Sequence, residues 1–101
     1  MSDPQADALI RELRERITEI DRSLVAALNQ RLELVAELKR YKDSRGLQFV
    51  DPDRERALLE LLAQANTGPL SGEGLRAFVT ELLALTKREL GAPSSPPPGA
   101  A

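Results

Sequence analysis

Strong apolar residues recur along the first half of the chain at alternating steps of three and four. They are Ile10, Leu13, Ile17, Ile20, Leu24, then Ala27 or Leu28, and further on Val35 and Leu38. This is the spacing of a helix with one buried seam, and after Pro4 no Pro or Gly interrupts it before Gly46. The pattern predicts a first helix from about residue 6 to about residue 45, ended by Ser44, Arg45 and Gly46. Asp3 or Asp7 is placed to cap its start, and Pro4 is tolerated in a first turn. Gly46 suits the left-handed position that follows a helix, and Lys39, Arg40, Lys42 and Arg45 complement the negative end of the dipole. Such a helix, at about 40 residues and 1.5 Å per residue, extends roughly 60 Å, too far for a short chain to cover by itself. Continuing the count through Leu24 and Ala27 lands on Arg31, and past Leu38 it reaches Tyr41 and Lys42. Two cations therefore fall on or beside the seam.

A second helix is announced by Asp51 as N-cap, Pro52 at the first helical position, and Asp53 and Glu55 at the positive end of the dipole. Leu58, Leu59, Leu61, Leu62 and Ala65 give it a wide apolar face before Asn66, Thr67, Gly68 and Pro69 stop it. Arg54 opposes its own helix dipole, so something other than helix stability favours it. Ser71 caps a third helix, although Gly72 and Gly74 weaken its first turn. Leu75, Phe78, Val79, Leu82, Leu83, Leu85 and Leu90 form its apolar positions, with Thr86 one turn after Leu82 and Leu83 on the same face. Gly91 and Pro93 end it. The expected organisation is a flexible lead-in over residues 1–7, a helical domain over 8–90, and a disordered Pro-rich tail over 91–101. Helices 2 and 3 would extend only about 22 and 28 Å, leaving the N-terminal half of helix 1 uncovered. A second copy of the chain is the simplest cover. The expected fold is all-α, three helices with one very long N-terminal helix, in an intertwined homodimer.

Composition narrows the function more than the fold. The 101 residues suffice for one domain with a small core, and hydrophobic residues make up 42% with aromatics only 3%, as in packed Leu- and Ala-rich helices. A net charge of −2 and a pI near 5.2 give no basic field to attract nucleic acid. Binding of anions must come from cations placed locally. Cysteine and histidine are both absent, which removes disulfides, thiolate nucleophiles, the usual zinc sites and the commonest general base. Carboxylates, Lys, Arg and hydroxyls are left to carry any chemistry, with no metal or cofactor expected. The start of the chain has no signal-peptide core, and no run approaches the length of a membrane span, so a cytoplasmic location without membrane contact is expected.

On a helix, Arg31 and Lys42 would be about 20° out of alignment and roughly 16 Å apart along the axis, close enough for two long side chains to hold a small anion between them. Arg14 would lie about 25 Å from Arg31. Only an antiparallel partner chain could bring Arg14 to the same ligand.

Several stretches carry a resemblance to a known family. They are Leu13-Arg14-Glu15-Arg16-Ile17 followed by Ile20-Asp21, the segment from Leu28 to Glu33 centred on Arg31, Lys39 to Lys42, the run from Val50 to Arg56, and the link from Asn66 to Leu70. In these, over about residues 8 to 90 and with essentially no gaps, the sequence resembles the all-α chorismate mutases, small dimeric three-helix enzymes. The resemblance implies that Arg31 and the partner chain's Arg14 clamp the two carboxylates of chorismate, a task suited to bidentate donors. Lys42 would donate to the ether oxygen of the breaking C–O bond. Glu55, with the Asp51 region, would receive the ring hydroxyl, Arg54 would sit beside it, and Thr86 matches a Ser/Thr position near a substrate carboxylate. The family usually has Gln or Glu one turn beyond that position, where this chain has Leu90. Either helix 3 shifts register so that a protonated Glu89 serves, or Lys42 holds the ether oxygen alone.

The implied reaction is the intramolecular rearrangement of chorismate to prephenate in aromatic amino-acid biosynthesis, which needs no nucleophile, metal or cofactor. An isochorismate pyruvate-lyase or a 4-amino-4-deoxychorismate mutase on the same scaffold is the near alternative, and the acidic pair Asp51 and Glu55 favours a 4-hydroxyl or 4-amino substrate. A non-catalytic helical dimerisation or regulatory module is the alternative from another class, for which Leu90 is the best argument. Docking to another shikimate-pathway enzyme is a further partner the family suggests.

Overall fold

The computed structural model describes residues 3–91, so nearly all of the tail lies outside the described residues. Three helices follow one another, α1 (Pro4–Ser44), α2 (Pro52–Ala65) and α3 (Gly72–Glu89), and no strand occurs among the described residues. The fold is all-α. Asp3 caps α1, its carbonyl accepting from the Asp7 amide at 2.9 Å and its carboxylate from the Gln5 amide at 3.0 Å. The helix thus begins at Pro4 and takes in the last part of the stretch read as a lead-in. None of its 41 residues is fully buried. No helix among the described residues is long and apolar enough to cross a membrane.

The chain divides into two compact units, the first ending at Leu34 and the second beginning at Val35. In the first unit the seam stands open: Ile10, Leu13, Ile17, Ile20 and Leu24 are each between 44% and 62% exposed. Full burial of one such side chain is worth about 1.5 to 3 kcal/mol. A stripe of five at half exposure leaves several kcal/mol of stabilisation unrealised, on the order of 5. Polar contacts along this unit are weak by comparison, as in the Glu19–Arg22 pair at 3.1 Å, whose side chains are both largely in solvent.

The second unit holds the buried residues. α2 packs on α3, and Leu75, Val79 and Thr86 of α3 are buried. Both helices start as their sequences dictate: the Asp51 carboxylate accepts from the Arg54 amide at 3.1 Å, and Ser71 Oγ accepts from the Gly74 amide at 3.0 Å. Gly74 lies against Leu70, whose side-chain end would have to shift to make room for a Cβ there, at 2.9 Å. The link between α2 and α3 is braced by Asn66, whose side chain donates to the Leu70 carbonyl at 2.9 Å and accepts from the Gly68 amide at 3.1 Å. Three expected apolar positions face solvent instead, Leu61 at 57% and Phe78 at 53% exposure and Ala65 at the end of α2. Each lies at the margin of an apolar face too wide for one neighbouring helix to cover.

Candidate functional site

α1 ends in the pattern its sequence implies, and that ending sets Lys42. Gly46 takes φ +68, the Leu47 amide donates to the Lys42 carbonyl at 2.9 Å, and the Gly46 amide donates to the Asp43 carbonyl at 3.2 Å. This is the doubly bonded helix terminus in which a left-handed glycine reverses the chain. The reversal carries Phe49 back toward the helix, where its carbonyl accepts from Lys42 Nζ at 3.4 Å. Lys42 is half-buried, so its stem is packed and its ammonium is directed by a backbone group. Lys39, by contrast, pairs with Asp43 at 2.9 Å, an ordinary pair one turn apart.

On α2, the Asp51 carboxylate is occupied in capping the helix, and Arg54 is exposed. Glu55 is different. Its Oε1 lies 2.6 Å from Lys87 Nζ on α3, with the two side chains only 29% and 17% exposed. On α3, Thr86 is buried, and its hydroxyl donates to the Leu82 carbonyl at 2.7 Å. The helix continues in regular register to its end, with the Leu90 amide donating to the Thr86 carbonyl at 3.1 Å. The register shift that would turn Glu89 inward is absent, Glu89 is exposed, and the half-buried Leu90 occupies that inward place.

Arg14 and Arg31 belong to the first unit, and Lys42, Asp51, Arg54, Glu55, Thr86 and Glu89 to the second. Arg31 is half-buried and Arg14 is exposed. Arg14 lines a groove with Ile10, Thr18 and Arg22, all residues of α1. A single convex helix gives such a groove only one wall. Within the second unit, packing brings Glu55 to Lys87 and the loop brings Phe49 to Lys42. Sequence reasoning missed both partners. Lys87 reads from sequence as a last-turn cation that complements its helix dipole, and a backbone carbonyl has no residue-type signature at all.

Comparison with known proteins bears on the family and the fold. Residues 13–89 match the family described as chorismate mutase type II. Two solved structures of a chorismate mutase from Thermus thermophilus are similar to the chain. Form I is 31% identical, with a TM-score of 0.74 over 76% of this chain and 96% of that one. Form II is 29% identical, with a TM-score of 0.78 over 81% of this chain and 93% of that one. The T-protein of Haemophilus influenzae is 37% identical over 51 residues, a match that takes in 50% of this chain but only 14% of that protein.

Proposed function

The chain belongs to the chorismate mutase type II family, and from that premise we propose that it converts chorismate to prephenate in sites shared between two copies of itself. The bond between the ether oxygen and the ring breaks while a carbon–carbon bond forms within the same molecule. Electron pairs shift only within the molecule, so no proton transfer, outside oxidant or reductant, or departing fragment is needed. Two tasks remain for the protein: holding a flexible dianion in the folded, reactive shape, and stabilising the charge that grows on the ether oxygen. In this reading Arg31 and the second copy's Arg14 grip the carboxylates, Lys42 donates to the ether oxygen, and Glu55 accepts from the ring hydroxyl. Asp51 contributes by fixing the start of α2, Arg54 and Thr86 lie alongside, and Glu89 takes no part. The observation that carries the proposal is the half-buried Lys42 ammonium held against the Phe49 carbonyl. Loss of chorismate absorbance with appearance of prephenate on adding the purified chain tests it, and an inert chain would overturn it. A cytoplasmic location and docking to another shikimate-pathway enzyme belong to the same proposal, and the docking rests on the resemblance alone.

The second copy is supported by the open seam of α1 and by the one-walled groove at Arg14. Pairing two long helices along these stripes would bury the side chains of both at once. Ile17→Asp places a charge in the middle of the stripe. The expected result is a halved mass in sedimentation and the loss of activity with it. An I17D chain that still sediments as a dimer would show that the seam is not the interface.

A non-catalytic module is the competing reading because of Leu90, which cannot donate to the ether oxygen. Leu90→Gln separates the two. On a catalytic site that relies on Lys42 alone, the added donor is expected to raise kcat by about tenfold, a fraction of what an optimised donor supplies. A chain that neither L90Q nor the unmodified sequence renders active is an adaptor.

A further inference from the structure

The Glu55–Lys87 pair stands apart from the ion pairs Glu19–Arg22, Lys39–Asp43 and Asp53–Arg56, each of which lies within one helix. It crosses from the first turn of α2 to the last turn of α3, and both of its side chains are mostly shielded from solvent. Neither partner needs the other for the sake of its own helix, because an acidic group in a first turn and a basic group in a last turn already suit their dipoles. Shielded pairs of this kind offset their desolvation only when the charges meet closely, and here Lys87 Nζ and Glu55 Oε1 are in direct contact at 2.6 Å.

We infer that Lys87 is a positioning residue for substrate recognition: by holding Oε1 of Glu55, it leaves the other carboxylate oxygen fixed as the acceptor for the substrate's ring hydroxyl. The inference rests on the reading of Glu55 as that acceptor. A carboxylate can accept several hydrogen bonds at once, so the lysine and the hydroxyl do not compete. What the lysine removes is rotation. A free Glu side chain spreads over several rotamers, and the ordering cost would fall on substrate binding. With Lys87 in place that cost is met when the chain folds. The ring hydroxyl takes no part in the bond changes, so its acceptor acts on ground state and transition state alike, and its loss is felt in KM more than in kcat.

The test is a double-substitution cycle on the full chain with chorismate as substrate, using K87M, K87R, E55Q and the K87M/E55Q pair. K87M is expected to raise KM about tenfold with kcat within about twofold of the parent, K87R to recover most of that loss, and the pair to match E55Q alone. Circular dichroism and thermal midpoints accompany each variant, and if K87M loses helix content, K87Q is measured in its place. A parental KM in K87M beside a raised KM in E55Q would reduce Lys87 to a tie between helices and overturn the inference alone. Losses that add in the paired variant would mean that Lys87 acts independently of Glu55, which also overturns it. A parental KM in E55Q would instead remove Glu55 as the hydroxyl acceptor, and the inference would fall with that reading.

Discussion

Replacing Lys42 with alanine is expected to slow the conversion of chorismate to prephenate by about 100- to 1000-fold, the usual cost of losing one preorganised donor to a developing negative charge. The size follows from the isolation of this group. Leu90 is half-buried one turn beyond Thr86 and Glu89 is exposed, so α3 presents no Gln or Glu at the position where the family usually has one, and no compensation for the missing ammonium is expected from there. The effect should fall on kcat, because the charge being stabilised exists only as the bond lengthens. The variant should fold, since Lys42 is only half-buried and its side chain donates a single long hydrogen bond to Phe49. Stopped or continuous assay of K42A beside its circular dichroism checks both halves, and a folded K42A with near-parental kcat would remove the lysine from the chemistry.

The second large effect is a recovery. If the site is shared between two copies as proposed, the Arg14→Ala and Arg31→Ala chains are each expected to lose nearly all turnover, because every site would then lack one carboxylate clamp. Mixed and allowed to exchange subunits, they should regain activity. A mixed dimer has one site with both arginines intact and one with neither, so random exchange restores about a quarter of the parental rate. The measurement is the time course of chorismate loss after mixing. Recovery is impossible if Arg14 serves the site of its own chain, so a flat trace would rule out the shared site. The groove around Arg14, walled only by α1, is what this experiment probes.

Much of this architecture is legible in the residues, for identifiable reasons. Helix ends are written in local chemistry: Asp51 and Pro52 start α2, Ser71 starts α3 and Gly46 terminates α1, each through bonds that reach only a few residues. The three-and-four spacing marks an apolar stripe along α1, whose members from Ile10 to Leu24 are exposed in the single chain. Arg31 and Lys42, drawn from that count, are both half-buried. What was not legible depends on packing between helices. No local pattern distinguishes Lys87, which meets Glu55, from the neighbouring Arg88, which is exposed. Phe78 sits at a good helical spacing yet faces solvent, because periodicity marks a stripe without saying how much of it a neighbour covers. Leu90 is the instructive departure. The backbone runs to Leu90 without a shift of register, and Leu90 is half-buried while Glu89 is exposed.

The turn at Gly46 has a bearing on how this protein can vary. A methyl group added at that position would meet nothing within 4 Å, so the space is free. The backbone is not, since at φ +68 a side chain costs about 1 to 2 kcal/mol. An alanine there would press the chain toward a different exit from α1 and so move the Phe49 carbonyl off the Lys42 ammonium. A residue exposed at the surface thereby bears on where the Lys42 ammonium points, through the path of the backbone alone.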